Sequence, residues 1–138
     1  MRNARRARRG FVVVPLLAVL AMGCEKLPAV PNIPPVASFV YSPVSPIVAG
    51  ETPVGFNASA SSDSDGTISS YIWNFGDGTP EQAGGASAVT HVFPVVGRCV
   101  EVTYTVLLTV VDQDGGRSSA NQTVRVVNLP TPGSDECR

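Results

Sequence analysis

Apolar residues recur at every second position in several short segments, and this pattern limits the fold more than any other feature. The longest example spans residues 100–110, where Val, Tyr and Leu alternate with Glu and Thr. A period of two places alternate side chains on opposite faces of an extended strand. The apolar positions, in chain order, are Ala37, Phe39, Tyr41, Val54, Phe56, Ala58, Tyr71, Trp73, Phe75, Val100, Val102, Tyr104, Val106, Leu108 and Val110.

Glycine-containing turn signals separate these segments, and further short strands are expected over Val89–Phe93 and Thr123–Val127. No segment after Cys24 carries a helical period. Short strands with frequent turns favour two packed sheets. The segment 35–127 has the size of one immunoglobulin-like unit. The sequence therefore predicts an all-β, immunoglobulin-like β-sandwich of about seven strands.

Residues 1–23 have the pattern of a secretory signal peptide. Five arginines precede an apolar run over Phe11–Met22, and a small residue, Gly23, follows it. The run is too short to span a bilayer as a helix, which takes about 20 apolar residues. We therefore expect export, with Arg8 and Arg9 leaving a twin-arginine route as an alternative to the general one.

Cys24 directly follows the leader, and Leu20–Cys24 resembles the lipobox of bacterial lipoproteins. The resemblance implies that lipid, palmitate included, is attached to Cys24 and that cleavage makes it the first residue. Ala21 stands where the lipobox prefers leucine, so an ordinary cleaved signal peptide is the alternative. The predicted location is the cell envelope, with the chain lipid-anchored to a bacterial membrane and its domain outside the cytoplasm.

Segments rich in proline and turn residues flank the predicted domain. Residues 24–34 suit a semi-rigid tether of about 30 Å, and residues 128–138 form an irregular tail. The chain has 10 Lys and Arg against 11 Asp and Glu, and five of the arginines lie in the leader. The remainder carries a net charge of −6 with no basic cluster, which argues against nucleic-acid binding.

Three cysteines are present. If Cys24 carries lipid, Cys99 and Cys137 form an even pair in an oxidising compartment, and a disulfide between them is predicted. Closing a loop of that length would stabilise the fold by about 3–4 kcal/mol.

Six blocks in order resemble the PKD domain, named for polycystic kidney disease. They are Pro35–Phe39, Val54–Ala58, Ser61–Ile68, Tyr71–Gly78, His91–Phe93 and Tyr104–Asp112, and the fourth, Tyr-Ile-Trp-Asn-Phe-Gly-Asp-Gly, is the most specific. The resemblance implies an immunoglobulin-like β-sandwich that serves as an extracellular spacer or binding module rather than a catalyst. The chain departs from the family at residues 98–103, an insertion that carries Cys99.

The physical properties of the fourth block fit this reading. Trp73 would fill the centre of the sandwich, where its indole N–H needs a partner. An alternative is that the same aromatic side chains form a sugar-stacking platform. Gly76 and Gly78 permit a positive φ around Asp77, whose carboxylate can cap the amides of the turn.

No catalytic site or cofactor is predicted. His91 is the single histidine, lies in a short strand and is interpreted as structural. The carboxylates of Asp63, Asp65, Asp112 and Asp114 are weak calcium candidates, since hard oxygen ligands suit that ion. Turn capping explains the same residues, so the prediction is no metal.

The predicted function is that of a membrane-anchored lipoprotein whose PKD domain mediates protein–protein or protein–carbohydrate interaction with a partner not yet identified. The alternative is a structural spacer of the cell envelope with no specific ligand. Candidate contact surfaces are the sheet edges and the loops Thr79–Ala88 and Gln113–Ser118.

Overall fold

The computed structural model describes residues 30–44, 47–97 and 99–129, and these ranges contain seven strands. The strands are β1 (Val40–Ser42), β2 (Val54–Asn57), β3 (Ile68–Asn74), β4 (Gln82–Gly84), β5 (Ala88–His91), β6 (Glu101–Asp112) and β7 (Arg117–Val127). No helix in the described ranges is long and apolar enough to cross a membrane.

The strands form two antiparallel sheets. One sheet has the order β1-β2-β5, and the other has the order β4-β3-β6-β7. β6 and β7 pair over eleven residues, from Glu101 opposite Val127 to Val111 opposite Arg117. The predicted all-β sandwich of about seven strands is confirmed.

The core lies between the sheets and follows the alternation in the sequence. Alternate residues of β6 from Tyr104 to Val110 are buried, and Trp73 of β3 and Phe56 of β2 are each 1% exposed. Burial of such side chains stabilises a fold by about 1.5–3 kcal/mol each. Val100 is an exception, because it lies before β6 and is 44% exposed. Its predicted place on the buried face is wrong.

β4 and the first half of β7 carry no apolar alternation. β7 begins at Arg117 rather than at Thr123, and β4 lies inside a segment predicted as a loop. Both segments are held by backbone pairing, β7 to β6 and β4 to β3. Backbone hydrogen bonds form with any residue except proline, so composition gave no signal for these strands.

Contacts with the sandwich begin at Asn32, inside the segment predicted as a tether. Asn32 Nδ2 donates to Asp112 Oδ2 at 2.8 Å, and the backbone N–H of Ile33 donates to Asp65 Oδ2 at 3.0 Å. Val36 forms an isolated antiparallel bridge with Ser62. The segment before β1 is therefore bound to the side chains of Asp65 and Asp112 and to the backbone of Ser62.

Candidate functional site

The turn after β3 is built by two glycines and one carboxylate. Gly76 and Gly78 have φ values of 73° and 84°, in the left-handed region that favours glycine. Asp77 Oδ1 accepts hydrogen bonds from the backbone N–H of Thr79 at 3.0 Å and from its hydroxyl at 2.6 Å. The carboxylate therefore caps the turn, in the role that the sequence indicated.

The same carboxylate holds His91. His91 Nε2 donates to Asp77 Oδ2 at 2.6 Å, and the imidazole stacks on Phe75 with ring centroids 3.9 Å apart. Burial raises the pKa of Asp77, but hydrogen bonds from Thr79 and His91 outweigh it and lower the pKa below its ordinary value. The pair links β5 to the turn after β3, across the two sheets.

This pair does not activate a nucleophile. The Thr79 hydroxyl donates to the carboxylate of Asp77 rather than contacting the imidazole. A catalytic triad needs the hydroxyl on the histidine, so that the imidazole can take its proton. His91 is 8% exposed and packs between Phe75 and Phe93, in a structural role.

The aromatic residues pack against one another inside the sandwich. Trp73 meets Phe39 edge-on with centroids 5.2 Å apart and lies parallel to Phe75 at 6.5 Å. A sugar stacks on an exposed ring face, whereas Trp73 and Phe75 are 1% and 0% exposed. The indole Nε1 of Trp73 is buried with no hydrogen-bond partner among the described residues, so the expected partner is absent there.

A cleft of about 160 Å³ lies at the edge of the sandwich, next to β4 and β5. Tyr71 and Trp73 of β3 line it from inside, and Val89 lines it from β5. Gln82 and Gly84 of β4 lie opposite Trp73 and Tyr71 in the register, and directly opposed residues share a face. β4 therefore brings one flexible side chain and one glycine to the inner face, and the space stays unfilled.

The two predicted contact loops differ in the structure. Residues 79–88 contain β4, which is exposed at all three positions. Residues 113–118 are only partly a loop, because Arg117 and Ser118 belong to β7. Only Gln113–Gly116 remains as a tight turn, in which Gly115 has a φ of 89°. The first segment therefore offers the larger surface.

Asp63 and Asp65 lie on the loop before β3, whereas Asp112 ends β6 and Asp114 lies in the turn after it. A hydrogen bond from Thr67 to Gln113 connects the two segments. Asp63 Oδ1 accepts a hydrogen bond from the backbone N–H of Asp65. Asp112 Oδ1 accepts hydrogen bonds from the backbone N–H groups of Asp114 and Gly116. The hydrogen bond from Asn32 and those of the turn lower the pKa of Asp112, and burial opposes them.

Turn capping thus occupies oxygens of Asp63 and Asp112. No group of three or more His, Cys, Asp or Glu side chains that could hold a metal occurs in the part of the chain that the structure describes. The calcium candidates stay a prediction. A melting temperature raised by millimolar calcium would support them, and an unchanged one would leave turn capping as their role.

The insertion after β5 is fastened by Asn128, which sequence reasoning assigned to the tail. Asn128 is 1% exposed, and its Oδ1 accepts from the N–H of Val96 at 2.9 Å. Its Nδ2 and its backbone N–H both donate to the carbonyl of Val100. The buried side chain thus joins the end of β7 to the segment before β6.

The cysteines that carry predictions lie at or beyond the limits of the described structure. Cys99 is exposed, has a φ of 55° and precedes β6, so it lies off the apolar face as expected. Cys24 and Cys137 lie outside the described residues. The lipid attachment at Cys24 and the disulfide between Cys99 and Cys137 therefore stay predictions.

Comparisons with known proteins point to one family. Collagenase ColA of Clostridium perfringens is 38% identical over 77 residues, which cover 56% of this chain and 6% of that protein. The chain spans only 6–9% of the length of the curated relatives it matches.

Two solved structures agree in fold. The PKD1 domain of the Vibrio cholerae metalloprotease PrtV aligns with a TM-score of 0.52 and 35% identity, covering 68% of this chain and 98% of that domain. A structure solved to explain the promiscuous specificity of carbohydrate-binding modules from the β-sandwich superfamily aligns with a TM-score of 0.62 and 38% identity. The alignment covers 71% of this chain and 36% of that one. The sequence model of the PKD domain matches residues 32–127. The chain therefore belongs to the PKD domain family.

Proposed function

We propose that this chain is a lipid-anchored protein of the bacterial cell envelope whose PKD domain binds a protein or a carbohydrate outside the cytoplasm. PKD domains are non-catalytic modules, although relatives of this chain are parts of proteases. The observation that carries the proposal is the exposed segment 79–88 beside the cleft, where the sandwich leaves apolar space unfilled.

Support for binding comes from the surface of this segment. The segment 79–88 contains one charged residue, Glu81, which lies before β4. β4 and β5 contain no Lys, Arg, Asp or Glu, and His91 at the end of β5 is buried. Interfaces carry fewer charges at their centre than the rest of a protein surface. The carbohydrate-binding modules named for one structural relative add support for a glycan partner.

Support for the anchor comes from the first 24 residues. The basic leader, the apolar run and Gly23 before Cys24 together match the order of a lipoprotein signal. Replacing Cys24 by serine removes the thiol that would carry the lipid. The C24S variant should appear in the soluble fraction and incorporate no labelled palmitate, whereas the unchanged chain should be found in membranes and incorporate it.

A binding experiment separates an interaction module from a spacer. The fluorescently labelled chain is added in increasing amounts to envelope fragments and, separately, to a glycan array. A binding module gives a saturable signal on one of them, and an unlabelled excess of the same chain abolishes it. A spacer gives only a linear, non-competable signal on both, and this outcome would refute the proposal.

A further inference from the structure

The cleft beside β4 exists because a side chain is missing from a position that faces the interior. A Cβ atom built on Gly84 would meet no other atom within 4 Å, and the φ of Gly84 is not positive. The glycine is therefore required neither by the backbone conformation nor by close packing. The cleft of about 160 Å³ matches a cavity of about 150 Å³ that holds a benzene-sized ligand.

Trp73, which lines the cleft, carries a buried donor. Trp73 is 1% exposed, and its Nε1–H has no hydrogen-bond partner among the described residues. Buried polar groups in folded proteins are nearly always paired, because an unpaired one loses its hydration without compensation. The indole lies beside the cleft, so its N–H resonance reports on what fills the cleft.

The rim of the cleft is a sheet edge. β4 is the terminal strand of its sheet in the described structure, and all three of its residues are exposed. Natural sheets protect such edges by keeping the edge strand short or with lysine, proline or inward-facing charges. β4 is short and follows Pro80 and Glu81, but the nine residues Gln82–Thr90 contain neither proline nor a charged residue, although the chain as a whole has 21 charged residues of Lys, Arg, Asp and Glu. The edge of β4 can therefore pair with an added strand, and because the edge is neutral, an uncharged strand fits it.

We propose that the cleft and the outer edge of β4 together bind an extended, uncharged segment of a partner protein. The segment adds a strand to β4 and inserts one apolar side chain into the cleft. This inference rests on the proposed function as an interaction module and names the class of its partner. A sugar fits less well, because the faces of Trp73 are covered and Gln82 is the one amide side chain in the lining.

The test uses the indole of Trp73 as the reporter, since the chain contains one tryptophan. The ¹⁵N-labelled full chain is titrated with blocked, uncharged pentapeptides that have leucine at the centre, and with matched peptides that have glycine there. We expect the leucine peptides to shift the indole N–H resonance saturably. The glycine peptides should bind about tenfold more weakly or worse, because they leave the cleft empty.

Two glycine variants separate filling of the cleft from other effects. G84V places a side chain in the cleft and should weaken binding of the leucine peptide by about tenfold or more. G85V is the matched control, because Gly85 also has open space around its Cβ position and does not line the cleft. The affinity of G85V for the leucine peptide should equal that of the unchanged chain. If G84V does not fold, A86L fills the cleft from another lining residue.

Three results would overturn the inference. They are an indole resonance that no leucine peptide shifts, an equal loss of affinity in G84V and G85V, and a saturable shift caused by oligosaccharides but not by peptides. The last result, or saturable binding to envelope fragments that G84V leaves unchanged, would refute this site while the proposed function stands. A linear, non-competable signal on both fragments and glycans would refute the proposed function as well.

Discussion

Replacing Gly76 and Gly78 one at a time by alanine tests how the signature turn is held against the sandwich. Both glycines have a positive φ, so alanine costs about 1–2 kcal/mol of backbone strain at either position. They differ in their surroundings. A Cβ on Gly76 would lie 2.5 Å from the carbonyl oxygen of Thr105, whereas one on Gly78 would meet nothing within 4 Å.

The difference between the two variants isolates the steric clash. Thr105 belongs to β6 and pairs with Thr123 of β7, so its carbonyl is held in the sheet and cannot move away alone. Forcing extra volume into such a place costs about 1–3 kcal/mol. The loss of unfolded-state entropy that accompanies Gly→Ala is the same at both positions and cancels. We expect G78A to lower the free energy of unfolding by about 1–2 kcal/mol and G76A by about 2–5 kcal/mol.

Urea unfolding followed by the fluorescence of Trp73 measures both values, and equal m-values confirm that the same transition is compared. In thermal melting, a further 1 kcal/mol corresponds to about 4–8 °C for a domain of this size. Equal destabilisation by G76A and G78A would show that contact with β6 does not matter. A larger effect of G78A would refute the reasoning.

Three further changes give independent expectations. D77N should lower the free energy of unfolding near neutral pH. The difference in unfolding free energy from the unchanged chain should shrink as pH falls below about 4, because the lowered pKa of Asp77 stabilises the fold only while the carboxylate is ionised. Urea midpoints across pH 2–7 check this, and a difference that does not change with pH would contradict it. N128A should cost about 1–3 kcal/mol in urea unfolding, since it leaves the N–H of Val96 without its partner and removes one of the two hydrogen bonds to the carbonyl of Val100, while N121A, on an exposed position of β7, should change little. R125A should change the unfolding free energy little, because its ion pair with Glu101 is solvent-exposed, and a large loss would show that the pair matters more than its exposure suggests.

The predictable parts of the fold are those in which the type of side chain depends on whether the position is buried or exposed. Trp73, Phe56 and the alternate residues of β6 are buried, as the period of two indicates. The turn after β3 was predictable for a similar reason, since Gly76, Gly78 and Asp77 are residues that a tight turn selects.

The remaining parts depend on partners distant in the sequence or on the backbone alone. His91 meets Asp77 across 14 residues, and Asn128 reaches Val96 across 32, so no local pattern marks either contact. β4 carries exposed residues with no apolar alternation and forms by pairing with β3. The cleft follows from β4, and it therefore could not be predicted either.

The positions at which the chain enters and leaves the sandwich have a consequence for how such domains are joined. Asn32 is bonded to Asp112 at the last residue of β6, whereas Asn128 is bonded to Val100 just before the first. Twelve residues of strand separate these points by about 40 Å. When the chain enters a domain at one end and leaves it at the other, the domain extends the polypeptide in one direction. Further domains can then follow it in a linear series. That geometry suits a unit that occupies only 6–9% of the much longer proteins related to this chain.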